Sequence, residues 1–105
     1  MKKLLIFLII LFSFTSNVVW SADYNKGWDA YDSGDYATAL REWKPLAEQG
    51  DSNAQYALGY LYDFGLGTLQ NDKTAVKWYT LAAEQGSALA QANLGDMYYH
   101  GEGVS

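Results

Sequence analysis

The sequence predicts an all-α fold, a solenoid of stacked helix pairs. Gln49–Gly67 and Gln85–Gly103 resemble each other at a spacing of 36 residues, and over 38–67 against 74–103 the sequence is identical at 13 of 30 positions. A period of roughly 20 to 50 residues is typical of stacked supersecondary units. Apolar residues recur at intervals of three and four, glycines separate the apolar stretches, and no stretch alternates like a strand.

The first helix pair lies before the repeat. The first predicted helix is Asp23–Ser33, which ends before Gly34 because glycine takes a positive φ without a Cβ penalty. The second is Tyr36–Gln49, whose apolar residues form one stripe at helical spacing, and Gly50 ends it.

The third predicted helix is Ser52–Phe64, capped by Asp51 or Ser52 and ended by Gly65-Leu66-Gly67. Its inner face carries small and aliphatic residues together with Tyr62. The third helix is therefore the first member of a second pair.

The fourth predicted helix is Lys73–Gln85, with Asp72 as its N-cap. Gly86 ends it, and Ser87 caps a fifth helix, Ala88–His100. The described pattern thus amounts to about two and a half helix pairs.

The N-terminus has the pattern of a secretory signal peptide. A basic Met1-Lys2-Lys3 precedes the apolar run Leu4–Phe12, and small or polar residues follow as far as Ala22. We expect cleavage after Ser21 or Ala22 and export to the periplasm or the secreted space. The alternative is a retained anchor, although the apolar run is short compared with the roughly 20 residues that span a bilayer.

The charge balance excludes several partners. The chain has 12 acidic and 7 basic side chains, and removal of Lys2 and Lys3 leaves 5 basic residues and a formal net charge of −7. Such a surface repels nucleic acid and anionic lipid, so we expect neither nucleic-acid binding nor stable membrane insertion after cleavage. The absence of cysteine means that packing alone stabilises the fold.

The repeat resembles the Sel-one-like repeat family, the 36-residue relatives of tetratricopeptide repeats. The family pattern is roughly A-x-x-x-L-G-x-x-Y-x-x-G-x-G-V-x-x-D-x-x-x-A-x-x-W-Y-x-x-A-A-x-x-G. The chain matches it at Ala54, Leu58, Gly59, Tyr62, Gly65, Gly67, Asp72, Ala75 or Val76, Trp78, Tyr79, Ala82, Ala83 and Gly86, and again at Ala90, Leu94, Gly95, Tyr98, Gly101, Gly103 and Val104.

The resemblance implies a division of the chain into a signal peptide and three repeat units. Residues 1–22 are the signal peptide, and 23–50 are a shorter tetratricopeptide-like unit. A full Sel-one-like repeat spans 51–86, and a partial repeat spans 87–105. Gly59 is expected to face Ala75 or its neighbour across the helix pair, while Tyr62, Trp78 and Tyr79 fill the space between units.

No catalytic, cofactor or metal site is predicted. Gly65-x-Gly67 and Gly101-x-Gly103 lack the lysine and the preceding strand of a phosphate loop and recur with the repeat. His100 is the only histidine and has no cysteine or second histidine to act with. The cysteine-rich members of the family that are linked to enzymatic activity do not provide a precedent for this chain, since it has no cysteine.

The predicted binding surface is an aromatic and acidic concave face formed by the first helix of each pair. With Gly27, Gly59 and Gly95 placed at equivalent positions, ten residues are expected on that face. They are Tyr24, Trp28, Tyr31, Asp32, Tyr56, Tyr60, Asp63, Asp96, Tyr99 and His100. The alternative is that Trp28 and several of these tyrosines only pack between units.

The leading hypothesis is a non-catalytic scaffold or adaptor that binds a protein or peptide, preferably a basic one, since carboxylates beside aromatic rings suit Lys and Arg. The alternative is a cell-envelope glycan binder that recognises peptidoglycan. Small-molecule hydrolysis ranks a distant third.

The fifth helix, with Leu94, Met97 and Tyr98, lacks the second helix of its pair, which predicts self-association or docking of a partner helix there.

Overall fold

In the computed structural model, residues 22–104 are described and form five α-helices without a strand. The helices are α1 Tyr24–Asp32, α2 Tyr36–Glu48, α3 Ser52–Phe64, α4 Asp72–Glu84 and α5 Ala88–His100. Each lies within one residue of its predicted bounds, so the all-α prediction is confirmed. The predicted signal peptide lies outside the described residues, apart from Ala22.

Polar side chains cap the helices at their N-termini. The Asp51 carboxylate accepts a hydrogen bond from the backbone N–H of Ala54, and the Ser87 hydroxyl accepts one from Ala90. The prediction for α4 was wrong by one residue. The side chain of Asn71, not that of Asp72, accepts from the Thr74 N–H, because Asn71 has the extended backbone of a cap and Asp72 is already helical.

Each helix packs chiefly against the helices before and after it in sequence. In both complete pairs a glycine of the first helix lies against an aromatic ring of the second. A Cβ on Gly27 would lie 2.2 Å from Nε1 of Trp43, and one on Gly59 would lie 2.7 Å from Cδ1 of Tyr79. Trp43 and Tyr79 are almost fully buried and form the centres of the two core clusters.

The expected partner of Gly59 therefore needs correction. The residue that lies against Gly59 is Tyr79, one turn further along α4 than Ala75. Ala75 is buried, but it is the Tyr79 ring that fills the space left by the missing Cβ. Small residues on both helices would bring the backbones together, whereas here a glycine on one helix accommodates a large ring on the other.

The recurrent Gly-x-Gly loop packs against the preceding repeat. Gly67 and Gly103 have positive φ values of 71° and 70°. A Cβ on Gly67 would lie 2.6 Å from the carbonyl oxygen of Tyr36, and one on Gly103 would lie 2.5 Å from that of Asp72. Each loop thus closes against the start of the second helix of the preceding pair, which explains its recurrence as architecture.

A glutamine hydrogen bond also recurs with the repeat. Gln55 donates from Nε2 to the carbonyl of Ala47 at 3.2 Å, and 36 residues later Gln91 donates to Ala83 at the same distance. Gln85 adds a second hydrogen bond to Gln55, because its Nε2 donates to Oε1 of Gln55 at 2.8 Å. Gln55 is only 4% exposed, so its amide is satisfied in the core between successive units.

Within the described part of the chain, no helix combines the length and apolar character that crossing a bilayer requires.

Candidate functional site

The first helices α1, α3 and α5 form the surface that the sequence predicts as the binding face, called here the first-helix face. Between α1 and α3 this face contains a cleft of about 200 Å³, the aromatic pit. Five of its six lining residues are aromatic. They are Trp28, Tyr31, Trp43, Tyr56, Ala57 and Tyr60.

Several rings of the aromatic pit meet edge to face. The ring centroids of Trp28 and Tyr31 are 5.4 Å apart at an interplanar angle of 73°, and those of Trp28 and Trp43 are 5.0 Å apart at 67°. Tyr31 and Tyr60 face each other across the α1–α3 boundary at 6.3 Å and 69°. Such contacts stabilise the rings beyond their area burial, so the walls of the pit are preorganised.

Trp43 forms the floor of the pit, a role that the sequence did not predict. It belongs to α2, whose apolar residues form one stripe at helical spacing. Its side chain is 1% exposed, and its indole Nε1 donates to the carbonyl of Tyr24 at 3.0 Å. A glycine at the facing position of α1 is the sequence signal that marks such a ring, since Gly27 leaves room for the indole.

A second cleft, the acidic cleft, lies between α3 and α5 and measures about 280 Å³. Four carboxylates line it, from Asp63, Asp72, Asp96 and Glu102. Two apolar side chains and two amides complete its walls. These further residues are Phe64, Met97, Gln70 and Asn93.

Asp63 is held at the cleft by a hydrogen-bonded network that joins three helices. The Tyr79 hydroxyl donates to Oδ2 of Asp63 at 3.1 Å, and Nδ2 of Asn93 donates to the same hydroxyl at 3.1 Å. Partial burial raises the pKa of the Asp63 carboxyl above its usual range. The Tyr79 hydrogen bond opposes the rise, and the negative charges of Asp72 and Glu102 add to it.

Burial likewise raises the pKa of three phenols, one on each of α1, α3 and α4. It is the largest cause at Tyr31, Tyr56 and Tyr79. These hydroxyls are therefore neutral hydrogen-bonding groups at physiological pH, and none has the lowered pKa of an activated nucleophile.

Six of the ten predicted site residues line one of the two clefts. They are Trp28, Tyr31, Tyr56 and Tyr60 in the aromatic pit and Asp63 and Asp96 in the acidic cleft. Their role in binding stays a prediction. The sequence did not predict the remaining lining residues. Second helices and loops, whose position depends on how the pairs stack, supply Trp43, Gln70, Asp72 and Glu102, and α3 and α5 supply Ala57, Phe64, Asn93 and Met97.

The other four predicted residues lie outside both clefts. The Tyr24 ring packs 6.2 Å from the rings of both Trp28 and Trp43, and Asp32 is exposed on α1. Tyr99 is 86% exposed, and its ring contacts that of His100 at a centroid distance of 5.1 Å. Of the predicted site residues, Tyr24 therefore best fits the alternative that some of these aromatic side chains only pack against other residues.

The outer surface of α5 is apolar in part. Leu89 is 62% exposed and Tyr98 is 59% exposed, whereas Met97 is 2% exposed and belongs to the packed side of the helix. Docking of a second copy or a partner helix on this surface stays a prediction.

Over residues 22–104, no three His, Cys, Asp or Glu side chains are grouped so that they could hold a metal ion. The four carboxylates of the acidic cleft are thus not grouped as the ligands of a metal ion. They suit a ligand that brings several separate hydrogen-bond donors.

The chain is similar to solved structures of Sel1-type repeat proteins. A crystal structure of c5321, a protective antigen of uropathogenic Escherichia coli with an SLR fold, is 38% identical with a TM-score of 0.73 and matches 78% of this chain. A Sel1 repeat protein from Oxalobacter formigenes is 40% identical, with a TM-score of 0.73 over 81% of this chain. The chain spans 18% and 34% of the lengths of these two proteins, respectively.

No curated protein matches the chain. The sequence profile of the Sel1 repeat matches residues 52–87 and 88–105, which together cover half of the chain and include α3, α4 and α5. The matched segments contain both Gly-x-Gly loops and both glutamines, Gln55 and Gln91, that donate the recurrent hydrogen bonds. The chain belongs to the Sel1 repeat family.

Proposed function

We propose that this chain is a non-catalytic protein-interaction module, a scaffold or adaptor of the cell envelope or the secreted space, that binds a partner segment on its first-helix face. Sel1 repeats are in general helical scaffolds for protein–protein interaction. The observation that carries the proposal for this chain is the aromatic pit between α1 and α3.

The composition of the pit supports binding. Trp28, Tyr31, Tyr56 and Tyr60 remain partly exposed, although their rings are large enough to be buried in the core. Tyr and Trp dominate the energetics of protein interfaces because they offer a large contact area at a low entropic cost. Edge-to-face contacts hold Trp28, Tyr31 and Tyr60 in place, and tilted ring contacts hold Tyr56, so little order is lost when a partner binds.

The size of the pit favours a peptide side chain over a glycan. Clefts that hold drug-sized ligands measure about 300–1,000 Å³, and the pit measures about 200 Å³. Trp28 and Tyr31 stand at 73° to each other and form walls, not a flat platform on which a sugar ring would stack. We therefore rank the glycan-binding alternative second.

Location in the envelope or secreted space rests on the N-terminal sequence, where a basic start and an apolar run precede Ala22. The test is N-terminal sequencing of C-terminally tagged protein from cell fractions. We expect the mature protein outside the cytoplasm, starting at Ala22 or Asp23. Recovery of Met1 on a membrane-embedded species would refute a cleaved signal.

Binding is tested with an array of basic peptides, acidic peptides and muropeptides, probed with purified protein of residues 23–105. We expect basic peptides to bind and Tyr60→Ala to weaken their binding at least about tenfold, as for an interface hot spot. The matched control is Leu81→Ala, another apolar truncation at an exposed position, on α4 outside both clefts. Muropeptide binding alone would favour the glycan alternative, and equal effects of the two variants would refute the pit as the binding site.

A further inference from the structure

We propose that the partner segment binds through two anchors: an aromatic or large aliphatic side chain in the aromatic pit and a Lys or Arg side chain in the acidic cleft, three or four residues away. The inference rests on the proposed function, since it requires a peptide on the first-helix face. It adds the chemistry of the ligand, the position of each anchor and their spacing.

The two clefts adjoin each other. Tyr60 lines the aromatic pit and Phe64 lines the acidic cleft, and the centroids of these two rings are 4.6 Å apart. The two residues are one turn apart on α3 and form a shared wall. A segment that crosses α3 therefore passes directly from one cleft into the other.

The clefts are built from equivalent positions with different chemistry. With Gly27 and Gly59 aligned, Tyr31 of α1 corresponds to Asp63 of α3, and the 36-residue repeat relates Tyr60 to Asp96. The two tyrosines face each other across the pit at 6.3 Å between ring centroids. The two aspartates occupy the same structural positions in the next groove and line the acidic cleft. The face thus changes from aromatic to acidic between successive grooves.

The charge of the face identifies the second anchor. Among residues 22–104, α3 and α5 contain no Lys or Arg, and α1 contains only Lys26. Partial burial raises the pKa of Asp63, and the negative charges of Asp72 and Glu102 add to the rise because they repel the Asp63 carboxylate. A cationic side chain would relieve this repulsion. Phe64, which is 56% exposed, provides apolar contact for the methylene stem of Lys or Arg.

The grouping of the carboxylates favours a side chain over a metal ion. No three of these acids are arranged to hold a metal within the described residues. An ammonium or guanidinium group has three or five N–H donors that point in different directions, and it can bond to more than one separate carboxylate.

The spacing of the anchors follows from helix geometry. The middle of the pit lies near Tyr56 and Tyr60 on α3, and the cleft lies near Asp63 and Phe64, a separation of about 8 Å at 1.5 Å per residue. The two clefts lie on opposite sides of α3, which adds a lateral separation of roughly 8–10 Å. The total of about 12 Å corresponds to three or four residues of an extended chain at about 3.3 Å each.

The experiment uses fluorescein-labelled peptides with a Gly/Ser background, one Leu or Phe, and one Lys at spacings from one to six residues. Fluorescence anisotropy with residues 23–105 measures the Kd of each. We expect the tightest binding at spacings of three and four, and a roughly five- to tenfold loss when Gln replaces Lys in the peptide.

Protein variants assign each anchor to its cleft. Asp96→Asn should weaken the Lys peptide roughly five- to tenfold and leave the Gln peptide unchanged, whereas Tyr60→Ala should weaken both. Asp32→Asn is the matched control, because Asp32 is an exposed carboxylate of α1 outside both clefts. Circular dichroism of each variant confirms that the fold is retained.

The outcomes separate the two proposals. Binding that depends on Tyr60 but not on the peptide Lys, on spacing or on Asp96 overturns the two-anchor inference and leaves the proposed function intact. Binding that Tyr60→Ala and Asp96→Asn both leave unchanged overturns both. A lack of binding by every peptide of the series overturns the inference, and the wider peptide array then decides the proposed function.

Discussion

Substitution of Ala for the glycine of each first helix tests the packing of the solenoid at three equivalent positions. A Cβ at Gly27 would lie 2.2 Å from Trp43, one at Gly59 would lie 2.7 Å from Tyr79, and one at Gly95 would have no neighbour within 4 Å. Carbon atoms in contact normally lie about 3.5–4.0 Å apart. Ala at Gly59 therefore requires the ring or the helix to move by roughly 1 Å.

The rings that would have to move are held in place. Tyr79 is fully buried, and its hydroxyl is hydrogen-bonded to Asp63 and Asn93. Overpacking of this kind costs about 1–3 kcal/mol. Replacement of Gly by Ala within a helix also stabilises the helix by up to about 1 kcal/mol, and this gain is common to all three positions.

We expect Gly95→Ala to stabilise the protein by up to about 1 kcal/mol. Gly59→Ala should be less stable than Gly95→Ala by about 1–3 kcal/mol, and Gly27→Ala should be the least stable of the three because its clash is the closest. The difference between sites isolates the steric cost, since the helix-propensity gain cancels.

Urea unfolding, followed by circular dichroism and tryptophan fluorescence, measures the three free energies of unfolding. A difference of 1 kcal/mol corresponds to about 4–8 °C in Tm for a domain of this size. Equal stability of Gly59→Ala and Gly95→Ala would show that Tyr79 does not lie against Gly59 and that the helix pairing is wrong.

Three further predictions concern the core, the acidic cleft and α5. Gln55→Leu should lower the free energy of unfolding, measured thermally or in urea, by about 1–3 kcal/mol because it removes a buried hydrogen bond. The control Gln91→Leu, at an exposed position, should lower it by less than about 0.5 kcal/mol. Equal losses for the two variants would contradict the role of Gln55. The pKa of the Asp63 carboxyl is higher in the folded state than its ordinary value of 3.8. Protonation of Asp63 therefore stabilises the fold fully below pH 3.8, and this contribution is lost as the pH rises through the folded-state pKa. Asp63→Asn should therefore have a higher Tm than wild type at pH 7, and the difference should disappear towards pH 4 and below. A Tm difference that does not depend on pH would contradict a raised pKa of Asp63. Light scattering over a concentration series should show weaker self-association for Tyr98→Glu than for wild type, and a monomeric wild type at all concentrations would refute self-association.

The amino-acid sequence alone determined the elements and their order. The 36-residue period, the apolar stripes and the glycines at helix ends placed all five helices within one residue of their observed bounds. These features are local, because a cap or a C-terminal glycine acts within a few residues of its own position. The cap of α4 was misassigned because Asn71 and Asp72 have equivalent chemistry for that role.

Only the tertiary structure decided which residues meet across the helices. The ring of Tyr79 lies against Gly59, Trp43 forms the floor of the aromatic pit, and Gln55 bonds to the preceding unit. Each of these contacts depends on the angle and distance at which helices of different pairs cross, and a periodic pattern carries no information about either. The alternation between an aromatic and an acidic groove follows for the same reason, because a groove takes its chemistry from two helices at once.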